Sequence, residues 1–118
     1  KSRYQAGLEK LTEIDGEAGH QVIESLKDVC PDLAKYTIEF PFGDIYSREG
    51  LDIKSREIAT VAALTAMGHC APQLKVHVGC TPEEVKETVL QMAIYAGFPA
   101  ALNGMFIVKE VLVERGLL

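Results

Sequence analysis

The chain is poor in cysteine: Cys30, Cys70 and Cys80 are its three, an odd number at irregular spacing with no Cys-x-x-Cys pair. That scarcity excludes the disulfide framework that staples small secreted domains, and it fits a reducing compartment, with the cytoplasm as the expected location. Long hydrophobic runs are also absent. The charge-free stretches 58–68 and 88–108 are broken by Thr, Gly, Gln, Asn and Pro, and the mean hydropathy is only +0.08, so no bilayer span and no membrane partner are expected. Positive charge is short: 12 Lys and Arg stand against 17 Asp and Glu, a net charge of −5 and a pI near 5.1. A chain so charged offers no field to attract a phosphate backbone, and a nucleic-acid partner is not expected. No signal-peptide pattern follows Lys1. Repeats, low-complexity tracts and Gly/Ser/Pro linkers are missing too.

What is present is an ordinary globular balance, 47% hydrophobic and 25% charged residues in 118, which predicts a single domain over 1–118. Apolar residues recur at helical spacing and no sustained alternation appears, so the fold class is all-α. Ser2 caps a first helix carrying Tyr4, Leu8 and Leu11, with a left-handed exit expected at Asp15-Gly16. A second helix carries Val22, Ile23, Leu26 and Val29 and stops before Pro31. A third starts at Pro31 and runs through Leu33, Tyr36 and Phe40, where Pro41 should kink or end it. Asp52 caps a fourth over 53–67, with Ile58, Val61, Ala62 and Leu64 on a wide apolar face and Gly68 as its stop. Pro72 opens a short fifth helix carrying Gln73, Lys75 and His77. Thr81-Pro82-Glu83-Glu84 is the clearest start signal, a capping Thr with Glu three residues on, for a helix to Ala96 or Gly97. Pro99 begins the last, through Leu102, Phe106, Val108 and Leu112 to Gly116. The final two helices are apolar nearly all round. A chain this short has little interior to bury them, so a homo-oligomer is expected.

Several blocks carry a resemblance: Phe42-Gly43-Asp44-Ile45-Tyr46-Ser47-Arg48-Glu49-Gly50-Leu51, Lys54-Ser55-Arg56-Glu57, Gln73-Leu74-Lys75-Val76-His77, and 91–101 from Gln91 to Ala101. In this order and over nearly the whole chain, they resemble the carboxymuconolactone decarboxylase family. The resemblance implies the all-helical bundle shared with alkylhydroperoxidase D, assembled as a ring-like hexamer. It also implies decarboxylation of 4-carboxymuconolactone, a small-molecule substrate, with no metal or organic cofactor.

Two departures from the family pattern bear on function. After the equivalent of His77 the family continues for about two helical turns, whereas Val78 here meets Gly79-Cys80-Thr81 directly. A helix over 72–78 alone is short for stability, so a skipped stretch is favoured over a true deletion, and it would border the site as a lid. The peroxidase branch carries Cys-x-x-Cys-x-x-x-His; counting back from His77, Cys70 holds the first thiol position and Gln73 the second. A resolving thiol is therefore absent from the motif, although a lone Cys70 can still form a sulfenic acid or pair with another chain.

The constellation expected to carry chemistry is Glu57, Gln73 and His77. Loss of carbon dioxide develops negative charge, so the site needs a proton donor or acceptor and groups that hold carboxylates. His77 fits the first role, against the plainer reading of an imidazole bonded to backbone. Glu57 either orients His77 or sits exposed in the first turns of its helix as a partner of the helix dipole. Gln73, four residues before His77, shares its helix face and can hold a substrate carboxylate or a neighbouring carbonyl. Arg48, in the Tyr46-Ser47-Arg48 loop, is the better-placed guanidinium for a carboxylate, ahead of Arg56 and Lys75, and Tyr46 joins it as a substrate contact. For each cation, a solvated surface charge is the plainer reading. His69, Cys70 and His77 match no zinc spacing, no Gly-rich phosphate loop precedes a helix, and no Ser-His-Asp order stands out. Besides the decarboxylase, two other classes remain: a thiol peroxidase using Cys70, and a non-catalytic oligomeric scaffold.

Overall fold

Ser2 and Gln5 close the first helix reciprocally: Ser2 Oγ accepts from the Gln5 N–H at 3.1 Å, and Gln5 Oε1 accepts from the Ser2 N–H at 3.1 Å. The computed structural model describes residues 1–69, 71, 73–74 and 81–118, and every regular element among them is helical. They are α1 (Arg3–Ile14), α2 (Ala18–Leu26), α3 (Pro31–Thr37), a π-helix π1 (Ile38–Ile45), α4 (Ile53–Met67), α5 (Pro82–Tyr95) and α6 (Phe98–Glu114). Two compact units divide the chain, 1–52 and 53–118.

In the first unit, α1 packs on π1 through glycine. A Cβ on Gly7 would lie 2.1 Å from the Ile38 carbonyl oxygen, and one on Gly43 would lie 2.5 Å from the Arg3 carbonyl oxygen. Only a missing side chain lets the two backbones approach so closely. Leu11, Ile38 and Phe42 are buried around this contact. Burial of each such side chain is worth about 1.5–3 kcal/mol. At the rim, Arg3 grips Asp44 in two-pronged fashion, Nη2 to Oδ2 at 2.7 Å and Nε to Oδ1 at 3.0 Å.

Two expectations about helix ends are corrected here. The exit from α1 runs through Asp15 in an extended conformation, φ −150°, and Gly16 does not take a positive φ, so no left-handed turn is used. Pro41 does not end the coil, which continues through it to Ile45. The helix widens instead: the Tyr46 N–H donates to the Pro41 carbonyl at 2.7 Å, five residues back, and Ser47 Oγ donates to the Phe42 carbonyl at 2.8 Å. A proline ring crowds the carbonyl four residues before it, and the wider π turn relieves that contact while the chain goes on coiling. The second helix also ends earlier than its apolar spacing suggests, at Leu26, leaving Val29 exposed.

The second unit holds a core of Val61, Leu74, Val85, Val89, Val108, Val111 and Leu112, with Leu64, Met105 and Ile107 packed on it. The α5 cap forms as its sequence predicts, Thr81 Oγ1 accepting from the Glu84 N–H at 3.2 Å and Glu84 Oε1 accepting from the Thr81 N–H at 3.0 Å. Gly97, at φ 95°, turns the chain from α5 into α6, a conformation any larger side chain would resist. On α4 the most buried stripe is Glu57, Val61 and Thr65, spaced four apart; Ile58, Ala62 and Leu64, expected to form the apolar face, are only half-buried beside it.

Candidate functional site

A carboxylate early in a helix ordinarily faces water, where the helix dipole favours it. Glu57 does not: it is 5% exposed and is the buried charged side chain among the described residues. The exposed-dipole alternative is thereby set aside. Its position follows from the register of α4, since Glu57 stands one turn before Val61 and two before Thr65, on the face turned to the core of the second unit. Burial of a carboxylate costs several kcal/mol unless it is paired or hydrogen-bonded.

Gln73 lies in the same unit, in a helical stretch with Leu74; Leu74 is buried in the core and Gln73 is exposed. His77 and Cys70, the expected proton-transfer group and the thiol of the alternative chemistry, lie outside the described residues, as do Pro72, Lys75 and the Val78–Gly79 junction. His69, held in reserve beside them, is exposed, with Nδ1 3.0 Å from the Met67 carbonyl oxygen.

Tyr46 and Arg48 belong to the first unit. The Tyr46 ring is half-buried against Phe42, with centroids 5.0 Å apart and planes tilted by 34°. Arg48 is exposed, and its N–H closes a turn onto the Ile45 carbonyl at 3.1 Å. The widened π1 coil thus delivers both residues just past its end. No group of three or more His, Cys, Asp or Glu side chains suited to a metal occurs among the described residues.

Thr65 is the polar residue that the sequence reading missed. It is 2% exposed, and its Oγ1 has no hydrogen-bond partner among the described residues. The signal was its spacing, four from Val61 and eight from Glu57, on what reads as an apolar stripe.

Residues 31–110 match the model of the carboxymuconolactone decarboxylase family. The chain belongs to that family. A 4-carboxymuconolactone decarboxylase of Acinetobacter baylyi is 34% identical to it, over 99% of this chain and 92% of the relative. That alignment is 124 positions long, more than this chain has residues, so the relative carries positions with no residue here. An uncharacterized 15.0 kDa protein of Paracoccus denitrificans is 32% identical over 94% of this chain and 88% of the relative. A nitrosuccinic acid decarboxylase of Metarhizium robertsii is 28% identical over 66% of this chain and 60% of its own length. The all-helical architecture seen here is the alkylhydroperoxidase D-like fold of the family.

Proposed function

We propose that this family member is a carboxy-lyase that removes carbon dioxide from 4-carboxymuconolactone or a closely related carboxylated lactone. The observation that carries the reading is the 34% identity, across 99% of the chain, to a protein named for that reaction. A second relative named as a decarboxylase takes a nitro-substituted diacid. The reaction class is therefore better supported than the substrate, and a small carboxylate bearing an electron-withdrawing group is what the two names share.

In this reading the carbon–carboxylate bond breaks heterolytically, carbon dioxide leaves, and the electron pair passes into the conjugated lactone, which then takes up a proton. His77 delivers that proton as imidazolium and regains one from solvent. Glu57, buried on α4, acts as a positioning residue that holds the imidazole and raises its basicity. Gln73, in the same unit as Glu57, binds the carboxylate that remains on the substrate. No metal or organic cofactor is needed, since the lactone carbonyl itself accepts the electrons.

We further propose that the chain works as one domain in a homo-oligomer, a hexamer by family resemblance, in the cytoplasm. What supports association is apolar surface: Leu90, Ile94 and Tyr95 of α5 and Phe98, Leu102 and Phe106 of α6 are all exposed. No helix among the described residues is long and apolar enough to cross a membrane. The test is decarboxylation of 4-carboxymuconolactone followed by carbon dioxide release. Turnover by the unmutated protein is expected, with a loss of about 10²-fold or more in Glu57→Gln; equal rates in the two proteins would overturn the role given to Glu57.

A further inference from the structure

A small, partly open cavity of the second unit is lined by Leu64, Thr65 and Gly68 at the end of α4, by Leu74, and by Asn103 and Gly104 of α6. Its volume is about 10 Å³. A site needs roughly 10–15 Å³ on this measure to hold a water molecule, together with two to four polar partners.

Two residues with polar side chains line it, Thr65 and Asn103. Thr65 Oγ1 is buried without a hydrogen-bond partner among the described residues, in a side chain 2% exposed. An orphaned buried hydroxyl carries its full desolvation penalty unless something answers it. Threonines in helices commonly answer themselves by donating to the carbonyl four residues back, as Thr12, Thr37, Thr60 and Thr88 do here at 2.7 Å. Thr65 alone among the described mid-helix threonines that bear a bond or lack one does not. Asn103 also lines the cavity, with an amide that both donates and accepts.

Glycine keeps the space open. A Cβ at position 104 would lie 2.8 Å from Thr65 Cγ2 and 3.2 Å from Thr65 Oγ1, so any larger residue would press on the hydroxyl.

We propose that this cavity is a binding site for a single structural water that accepts or donates at Thr65 Oγ1 and bridges α4 to α6 beneath the stretch bearing Gln73. The site is separate from Glu57, which stands two helical turns away along α4, about 12 Å by the helical rise. It is independent of the decarboxylase reading, and its test uses no activity.

A high-resolution crystal structure of the unmutated protein decides it. The expected result is an isolated oxygen peak in the cavity within about 2.6–3.2 Å of Thr65 Oγ1. A cavity without such a peak, or the Asn103 amide turned in to bond Oγ1 directly, overturns the proposal. Thr65→Val supplies a second readout of nearly the same shape. If water answers the hydroxyl, removing it breaks a satisfied network and the melting temperature falls by about 4 °C or more. A rise in melting temperature means that the hydroxyl was an unanswered burden and contradicts the proposal. Gly104→Ala, which crowds the hydroxyl, is expected to lower the melting temperature in the unmutated background and to do so less in Thr65→Ala, where the clashing atoms are gone; equal losses in both contradict it.

Discussion

Lys54 Nζ lies 2.6 Å from Glu84 Oε2, so the residue that completes the α5 cap also ties the start of α5 to the first turn of α4. The hydrogen bond from Lys54, followed by the one from the Thr81 backbone, holds the Glu84 carboxyl below its ordinary range. A carboxyl whose folded pKa is depressed contributes stability that is present above its unfolded value and lost as pH falls through the folded one. Urea midpoints measured from pH 7 down to 3 should therefore drop through the acid range below about pH 4.5. In Glu84→Gln, whose amide oxygen can still accept at the cap, part of that acid dependence is expected to disappear. An unchanged slope would show that the pair contributes nothing.

Asp44 predicts the same sign in the first unit. The hydrogen bonds from Arg3 hold its carboxyl low and, in return, keep the Arg3 guanidinium's pKa raised. Arg3→Gln should lower the midpoint slightly at pH 7, a small step because exposed pairs add little, and the gap to the parent should close as pH falls through the acid range. Hydrogen exchange in α1 at pH 3 and pH 7 measures it; equal pH dependence in the two proteins would contradict the assignment.

Glycines give a sharper contrast. Gly7→Ala places a Cβ 2.1 Å from the Ile38 carbonyl oxygen, which backbone cannot vacate cheaply, and should cost at least about 2 kcal/mol in chemical denaturation. Gly16→Ala meets nothing within 4 Å and should stay within about 0.5 kcal/mol of the parent. Similar losses at both positions would mean that the α1–π1 approach is not as close as described.

The exposed apolar face of α5 and α6 makes a prediction in solution. Phe106→Glu or Leu102→Glu should shift the sedimentation coefficient from that of an oligomer toward a single 12.9 kDa chain, with helix content retained. A monomeric parent would contradict the association proposed from this face.

Most of the helices were legible because their signals are local. The caps at Ser2 and at Thr81/Glu84 and the stops at Gly68 and Gly97 lie within a turn of the ends they set. Pro41 misled for the same reason: its local effect is to break a coil, whereas the glycine contact between α1 and π1, remote in sequence, accompanies a wider coil that continues through it. Glu57 was legible as a candidate through its family block, yet its burial was not, because a single residue early in a helix carries no sign of which face will meet the core. Thr65 was hidden among apolar neighbours whose spacing it shares.

Decarboxylation of a carboxylated lactone through His77, as proposed, differs from sulfur chemistry at Cys70 in which single substitution abolishes it. Spectrophotometric turnover of 4-carboxymuconolactone by the unmutated protein, His77→Ala and Cys70→Ser tests it most directly. Turnover is expected in the parent and in Cys70→Ser, with a loss of about 10²–10⁴-fold in His77→Ala. Loss in Cys70→Ser with His77→Ala active, or no turnover by the parent, would contradict it.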